Sequence, residues 1–464
     1  MNMKLPDSIN KEKTLTEILE WVALISVSAI LILRLFAALW TQPVISYDDK
    51  HYRGIAIYLN EKTTIKDAVT DLFLPTIKRI GFRTYGYNSW NLLALKLFKK
   101  YVNRERVFQL LNCLFFLAQV AGIAALASRA HKRNWFIYSV SFLYLSSPII
   151  FGINRWVMTE NLVPAALFVF SAMALVLINS GKAEGSRPVH PIITEILIPA
   201  VCAFAMGVCC NLREYALPFL LLGAIGVVIV LKKERRYLAL AIFLVIIAPY
   251  FLSALKVLSV IASETIAKSG IVKTNVDQHV KGYRTGWIEW FRNISFRTMG
   301  VPIIAFLVAG NTMLFHGAAG RIAGSLRSRG LLKTLSAAKR SFTERDKVLF
   351  ILFFPTVFMY WFIVCFSTFR DMRIILTPFV MNIILILLGV KALGIGKYID
   401  RYSSPVMKTF LGLIVVSWAV FIFQLFFAFG GGKDYAVTRK GPPTYNHPMF
   451  LRKIEKFEDW HVKE

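Results

Sequence analysis

The residues best suited to chemistry form an acidic pair just beyond the first long apolar segment. Asp48 and Asp49 lie in the stretch Ser46–Ala56, which follows that segment. A carboxylate at the boundary between water and lipid can take a proton from a hydroxyl group, so Asp48 is a candidate general base. The spacing of Ser46 and Asp49 is also that of a helix capping box, which explains Asp49 structurally. Asp48 is explained less well in this way, because it lies one turn before Tyr52 on an apolar stripe.

Three further groups of charged residues lie at the ends of apolar segments. A guanidinium can hold a phosphate through paired hydrogen bonds. A carboxylate in the first turn of a membrane span costs more free energy than one in a loop, which favours a functional role. The alternative for each group is a set of interfacial anchors and helix caps. The groups contain Arg155 with Glu160, Arg213 with Glu214, and Arg370 with Arg373.

Arg34 differs from these residues because it lies inside the first apolar segment, about two turns before its outer end. Its long side chain can snorkel to the interface, or it can reach a phosphate at the membrane surface. The sequence pattern leaves both roles open.

Membrane-spanning helices must position these residues. The chain has 464 residues, of which 56% are hydrophobic, and apolar runs of roughly 18–22 residues recur along it. Such runs fit the ~30 Å hydrocarbon core of a bilayer as helices, because a helix satisfies its own backbone polar groups. We therefore predict an all-α polytopic membrane protein with about eleven transmembrane helices. They lie near residues 18–40, 107–128, 135–153, 160–179, 193–211, 215–231, 237–257, 299–317, 347–366, 374–393 and 409–429.

Charge predicts the orientation of these helices. The chain carries 55 Lys and Arg against 27 Asp and Glu, a net charge of +28. The short basic loops at 129–133, 232–236 and 320–347 are placed in the cytoplasm by the positive-inside rule, together with the amino terminus. This distribution explains the charge better than nucleic-acid binding does. The four charged groups then all face the extracytoplasmic side.

Two long loops and the tail lie on that side. The transmembrane domain covers residues 1–429, with extracytoplasmic loops at 41–106 and 259–297, and the extracytoplasmic tail covers 430–464. Two apolar stripes in the first loop predict amphipathic helices lying in the interface plane. The first stripe contains Tyr52, Ile55, Ala56 and Leu59, and the second contains Trp90, Leu93, Ala94, Leu97, Phe98 and Tyr101.

At these residues the chain resembles the GT-C superfamily of polytopic glycosyltransferases, in its protein-mannosyltransferase and aminoarabinose-transferase branch. That branch carries D-E-x-x-Y-x-x-I-A in its first extracytoplasmic loop, and Asp48–Ala56 matches it with Asp49 in place of Glu. The branch also has an Arg followed by an acid between its third and fourth spans, as Arg155 and Glu160 are here. A later R-Y-x-L-P-like segment resembles Arg373–Pro378, which has isoleucine for the tyrosine and the proline shifted by one position.

The resemblance implies a sugar donor carried on a polyprenyl or dolichyl monophosphate. Transfer to a glycan, lipid or protein acceptor would take place on the extracytoplasmic face, with inversion at the anomeric carbon. Asp48 would be the general base, and Asp49 and Glu160 would orient the acceptor or the base. The resemblance assigns the lipid phosphate to Arg155, Arg213, Arg370 and Arg373, and leaves Tyr52, Glu214 and Arg34 as further donor or acceptor contacts.

Other features bound this interpretation. No cofactor is required, although Asp48 and Asp49 could bind a divalent metal, and the expected location is a bacterial inner membrane. An oligosaccharide polymerase or ligase is an alternative that would place its key residues in a large late loop. A flippase or transporter would place charges on both faces and near the midplane, with broken helices in corresponding halves. A non-enzymatic scaffold would leave the charged groups without a role.

Overall fold

The computed structural model describes residues 7–40, 56–57, 59–73, 79–80, 83–84, 86–98, 100, 104–154, 162–168, 171, 196–212, 236–267, 300–341, 357 and 372–429. Helices dominate these residues, with one two-stranded hairpin in addition to the predicted all-α class. The elements are α1 (Asp7–Trp40), α2 (Ile65–Phe73), β1 (Arg79–Ile80), β2 (Arg83–Thr84), α3 (Gly86–Phe98), α4 (Arg104–Ala130), α5 (Asn134–Ser146), α6 (Pro148–Asn154), α7 (Ile198–Leu212), α8 (Arg236–Ala267), α9 (Val301–Ser341), α10 (Met372–Ala392), α11 (Gly396–Arg401) and α12 (Ser403–Phe429).

Four helices of the described part are long and apolar enough to cross a membrane. Three shorter apolar helices lie in α7, α8 and α10. The chain is therefore an integral membrane protein of the predicted helical class, while the count of about eleven spans stays a prediction. The four long apolar segments are Glu12–Ala37, Arg106–Ala130, Val301–Gly320 and Ser403–Phe426.

One predicted span is interrupted. The sequence predicts a single helix over residues 135–153, but α5 ends at Ser146 and α6 begins at Pro148. Ser147 between them has an extended backbone, with φ −64° and ψ 130°. A residue that precedes proline avoids the helical region because its backbone would clash with the proline ring. The break is thus a local consequence of Pro148.

The helices form a bundle around one continuous apolar core. Helices α1 and α12 run side by side in the same direction. The Thr16 hydroxyl lies 3.4 Å from the Met407 sulfur, and the Trp418 indole N–H donates to Ser26 Oγ at 2.9 Å. Helix α5 packs against α1 and α4, and α10 packs against α4.

Side-chain contacts define the two ends of this bundle. The proximal end, where α1 begins, holds Glu12, His131 and Asp400, and there the Ser403 hydroxyl donates to the Glu12 carboxylate. The distal end, where α1 finishes, holds Phe151 and Gln424. The ring of Phe151 meets that of Phe421 on α12 at 5.6 Å. Helices α4 and α10 run from the distal end to the proximal end.

Two helices, α2 and α3, lie within the segment between α1 and α4. Thr64 and Asp67 cap α2 reciprocally: the Asp67 carboxylate accepts from the Thr64 backbone at 2.7 Å, and the Thr64 hydroxyl accepts from the Asp67 backbone at 3.2 Å. Helix α3 packs against α2 and α4, and Trp90 meets Phe115 edge to face at 5.8 Å.

Of the two helices predicted in this loop, the one with the second stripe corresponds to α3, although part of that stripe is exposed. Half of the first stripe lies outside the described residues, and α2 was not predicted. Leu97 and Phe98 of the predicted stripe are 46% and 40% exposed. The buried residues of α3 are Ser89, Asn91, Leu92, Ala94 and Leu95. The polar members of this face were missed because a hydropathy pattern counts only apolar residues.

Helix α9 extends beyond the bundle. Its 41 residues make it the longest element described, and it contains Gly317 beside Leu393 and Ile395 at the proximal end. A Cβ added three residues later, at Gly320, would meet no atom within 4 Å. The last half of α9 therefore continues past the packed core.

Candidate functional site

Most of the predicted site lies outside the described residues. Only Arg34 and Arg373 lie within the described ranges, and the side chain is described for Arg34 alone. The predicted residues outside the described ranges are Asp48, Asp49, Tyr52, Arg155, Glu160, Arg213, Glu214 and Arg370. Their roles remain predictions, and the helices that flank them show which parts of the fold they adjoin.

Three of the flanking helices have the relevant terminus at the distal end. Helix α1 finishes there at Trp40, eight residues before Asp48 in the chain. Helix α6 finishes there at Asn154, directly before Arg155, and its ring contact from Phe151 to α12 fixes that placement. Helix α10 begins there, with Arg373 as its second residue. Three predicted groups thus adjoin helix termini at one end of the bundle.

The fourth group follows α7. This helix finishes at Leu212, directly before Arg213. Five residues earlier, a Cβ at Gly207 would come within 2.4 Å of the Tyr250 ring on α8. The Tyr250 hydroxyl in turn donates to the Leu72 carbonyl at 2.7 Å. The end of α7 therefore packs, through α8, against α2 in the loop that follows α1.

Arg34 lies in the bundle interior. It shares a buried face of α1 with Ile30 and Ala37, and only 4% of it is exposed. Its guanidinium carbon lies over the ring of Phe116 at 5.1 Å and over the ring of Phe151 at 5.2 Å. Among the described residues, none of its three guanidinium nitrogens has a hydrogen-bond partner. The side chain does not snorkel, which excludes one of the two roles that the sequence left open.

An aromatic cluster centred on Tyr144 lies beside this arginine. Tyr144 interacts electrostatically with Arg34, and its hydroxyl donates to Gln119 Oε1 at 2.8 Å. Its ring stacks on Phe379 at 6.4 Å and meets Phe168 edge to face at 5.4 Å. The sequence interpretation missed this cluster because its members come from four separate apolar stretches and resemble ordinary core residues.

A second polar cluster occupies the proximal end. His131 is 7% exposed, its Nε2 lies 3.3 Å from Asp400 Oδ1, and its Nδ1 accepts from the Arg133 backbone at 3.2 Å. Burial lowers the pKa of His131, and the nearby Asp400 carboxylate offsets that effect only in part. The guanidinium of Arg133 lies 3.6 Å from the same carboxylate. A cavity of about 510 Å³ beside this cluster is lined mainly by charged side chains, among them Glu12, Glu17 and Glu20.

No metal centre is formed by the described residues: none of their His, Cys, Asp and Glu side chains gather in groups of three or more. The expectation that Asp48 and Asp49 could bind a divalent metal falls on residues outside this set.

No protein-family model and no curated protein matches the sequence. Solved structures do match. The oligosaccharyltransferase of Archaeoglobus fulgidus, in its complex with zinc and sulfate, superimposes with a TM-score of 0.52 at 11% identity, over 96% of this chain. Its apo form gives 0.50 at 9% identity, over 98% of this chain. ArnT from Cupriavidus metallidurans, bound to undecaprenyl phosphate, gives 0.42 at 16% identity, over 85% of this chain and 63% of its own.

The chain spans 57% of the length of the first oligosaccharyltransferase structure and 60% of the second. The match covers nearly all of this chain at low identity, so it concerns the fold. The chain therefore shares the fold of the Archaeoglobus fulgidus oligosaccharyltransferase over nearly all of its length.

Proposed function

We propose that this chain is a membrane glycosyltransferase. It moves a sugar from a polyprenyl-phosphate donor to a glycan, lipid or protein acceptor, with inversion of the anomeric carbon. The single observation that carries the proposal is the gathering of helix termini at the distal end, next to Asp48, Arg155 and Arg373 in the chain. The fold shared with the Archaeoglobus fulgidus oligosaccharyltransferase supports the same reaction class.

The reaction needs a base on one side of the sugar and cations on the other. The acceptor hydroxyl oxygen attacks the anomeric carbon while Asp48 takes the hydroxyl proton. The bond between that carbon and the phosphate oxygen breaks, and the bonding electrons leave with the lipid phosphate. Asp49 and Glu160 orient the acceptor or the base. Preorganised cations stabilise the charge that develops on the leaving phosphate. We assign that role to Arg155, Arg213, Arg370 and Arg373.

The orientation follows from the charge distribution. With the amino terminus in the cytoplasm, the proximal end faces the cytoplasm and the distal end faces the outside of the membrane. The proposed site then lies on the extracytoplasmic face, in a bacterial inner membrane, and builds cell-envelope glycans. Tyr52 and Glu214 are further donor or acceptor contacts in this scheme.

The test is a transfer assay on the full chain in nanodiscs. Labelled polyprenyl-phosphate sugars serve as donors, and a cell-envelope extract supplies acceptors. We expect wild type to consume one donor and Asp48→Asn to fold normally but lose transfer by at least about a hundredfold, as for a lost general base.

Asp400→Asn is the matched control, because it makes the same change of carboxylate to amide at the proximal end. It should transfer sugar at the wild-type rate. Full activity of Asp48→Asn would contradict its role as base. Consumption of no donor by folded wild type would contradict the transferase and favour a flippase or a polymerase.

A further inference from the structure

The cavity at the proximal end has more acidic than basic groups in its wall. Its volume is about 510 Å³, within the roughly 300–1,000 Å³ that is typical of small-molecule sites. The wall carries four carboxylates and two cations, although the whole chain has a net charge of +28. These charged residues are Glu12, Glu17, Glu20, Asp400, Lys13 and Arg133. The cavity therefore favours a ligand that carries a positive charge.

Two of the carboxylates have no partner of their own. Among the described residues, neither Glu17 nor Glu20 has an ion pair or a side-chain hydrogen bond. They are three residues apart on α1, so they share a face, and like charges that are neighbours on a helix repel each other. A cation bound between them would remove that repulsion.

A buried imidazole faces the same wall. Nε2 of His131 is buried and lies 3.3 Å from Oδ1 of Asp400 without forming a hydrogen bond. The Arg133 guanidinium is 3.6 Å from that oxygen, which is beyond the usual hydrogen-bond distance. Because an ionised carboxylate has about four acceptor positions, Asp400 can still accept hydrogen bonds from a donor in the cavity.

The cavity adjoins the part of α1 where the lipid-facing surface begins. Ile18 and Trp21 are exposed, and they start an apolar stripe that continues at Ile25 and Ile32. In a membrane protein such a stripe faces acyl chains, and an exposed tryptophan is typical of the interface. Glu17 precedes Trp21 by one helical turn, about 6 Å, and a headgroup layer is about 5–7 Å thick. The unpartnered carboxylates thus lie at headgroup level.

An ammonium group suits this wall better than a metal ion does. None of the described His, Cys, Asp and Glu side chains form a group of three that could hold one metal ion. A primary ammonium has three N–H donors, which can reach carboxylates on different sides of a cavity. Lys13 lies one turn before Glu17 and is also without a partner among the described residues. It matches the negative part of a zwitterionic headgroup.

From this arrangement we infer that the proximal cavity binds a zwitterionic membrane lipid that has a primary amine, such as phosphatidylethanolamine. Glu17, Glu20 and Asp400 accept hydrogen bonds from its ammonium group, and its acyl chains lie along the stripe that begins at Ile18 and Trp21. The site lies at the opposite end of the bundle from the proposed site of sugar transfer and does not depend on that function. A soluble amine offers the same ammonium group, and experiment separates the two sources.

The experiment measures ligand binding by the full chain, delipidated in a nonionic detergent. The probes are dioleoyl-phosphatidylethanolamine, dioleoyl-phosphatidylcholine, dioleoyl-phosphatidylglycerol and free ethanolamine, so the three lipids differ only in their headgroups. The readouts are the dissociation constant and the shift in unfolding temperature. We expect phosphatidylethanolamine to bind at least about 10-fold more tightly than the other two lipids, because only its ammonium donates hydrogen bonds to the carboxylates. Ethanolamine at the same concentration should not displace it.

A double variant tests the carboxylates. Glu17→Gln combined with Glu20→Gln keeps the size of both side chains and removes both charges. Its affinity for phosphatidylethanolamine should fall about 10-fold, to that for phosphatidylcholine. Without lipid it should unfold at the wild-type temperature or above, since the repulsion between the two carboxylates is gone. Glu61→Gln is the matched control, because it makes the same change at an exposed carboxylate between α1 and α2, and it should bind as wild type does.

Four outcomes would overturn the inference. The first is equal affinity of wild type for the three lipids, and the second is wild-type affinity of the double variant for phosphatidylethanolamine. The third is an equal shift with ethanolamine, which would make a soluble amine the ligand. The fourth is a lower unfolding temperature of the lipid-free double variant, which would mean that the carboxylates have partners within this chain.

The proposed function fails separately. Headgroup selectivity that depends on Glu17 and Glu20, in a wild-type protein that consumes no sugar donor, would leave the lipid site and remove the transferase. Sugar transfer by a wild-type protein that does not distinguish the three lipids would leave the transferase and remove the lipid site.

Discussion

The two ends of the bundle differ in how their charged side chains are partnered. At the proximal end, His131 faces Asp400, Asp400 faces Arg133, and Ser403 donates to Glu12. At the distal end, Arg34 has two aromatic rings for neighbours and no hydrogen-bond partner within the described ranges. The proximal cluster also opens on a cavity and is partly exposed, since Asp400 is 53% exposed. Arg34 is enclosed.

This difference concerns how each end satisfies its charged side chains. A charge that is paired within the protein stabilises one conformation and needs nothing further. A buried charge without such a pair lowers the stability of the protein. The distal end therefore combines an arginine that has no hydrogen-bond partner among the described residues with the helix termini that adjoin the predicted site.

The largest change in stability at the distal end should come from the packing that supports the aromatic cluster beside Arg34. A Cβ at Gly122 would lie 2.4 Å from the Cβ of Phe168, whose ring contacts Tyr144 beside Arg34. We expect Gly122→Ala to lower the free energy of unfolding by about 1–3 kcal/mol, since the added methyl group overpacks this contact. Chemical or thermal unfolding in detergent measures the change.

Gly412→Ala is the control for that prediction. A Cβ at Gly412 on α12 would meet no atom within 4 Å. The same substitution should therefore stabilise by about 0.5–1 kcal/mol through helix propensity alone. Equal effects of the two variants would show that the packing around Phe168 does not limit stability.

A smaller free-energy change should come from the contact between Arg34 and its aromatic partners. Phe151→Leu keeps an apolar side chain but removes one ring from the guanidinium. In a double-mutant cycle with Arg34→Met, we expect a coupling free energy of about 0.5–2 kcal/mol, the range for a desolvated cation–π contact. The cycle is read from unfolding free energies of the four lipid-free proteins. Additive effects of the two substitutions would mean that the rings only fill space around Arg34.

The smallest effect concerns pH at the proximal end. The pKa of His131 is lowered by burial, so the folded protein favours the neutral imidazole. The neutral imidazole makes its full contribution to stability when the pH is above the pKa of histidine in the unfolded chain, about 6.5. As the pH falls below that value, the unfolded chain binds more protons and the unfolding free energy decreases, until the lowered folded pKa is passed. Unfolding temperatures from pH 8 to pH 5 measure this slope.

Two variants define that slope. His131→Asn removes the titrating group. The unfolding temperature should therefore depend less steeply on pH, by the amount that His131 contributes in wild type. Asp400→Asn removes the carboxylate that raises the pKa of His131, so the decrease in stability should continue to lower pH. A pH dependence that is identical in His131→Asn and wild type would show that His131 does not report on the proximal end.

The sequence predicts the membrane class and several spans well, because continuous apolar runs have few alternatives in a bilayer. The predicted spans near 107–128 and 409–429 correspond to α4 and α12. The break at Pro148 was within reach of the sequence, since the restriction before proline is local. The buried face of α3 was not, because Ser89 and Asn91 are buried by tertiary packing.

The candidate site, like the fold, could be predicted from the sequence only in part. The sequence alone shows that Arg34 is a charged residue within an apolar segment, where charged residues are rare. Its surroundings could not be predicted, because Phe116 and Phe151 come from helices that are distant in the chain. The roles of Asp48 and the other charged residues remain predictions from spacing and resemblance.

The length of α9 affects how the whole bundle can be positioned along the membrane normal. Its 41 residues extend about 60 Å, about twice the hydrocarbon thickness. From Arg321 to Ser341 it carries six Lys or Arg residues and no acid. Each of these would cost about 2.5–3.5 kcal/mol at the bilayer centre. A shift of the bundle toward the distal side would draw these charges into lipid, so we expect the second half of α9 to oppose such a shift.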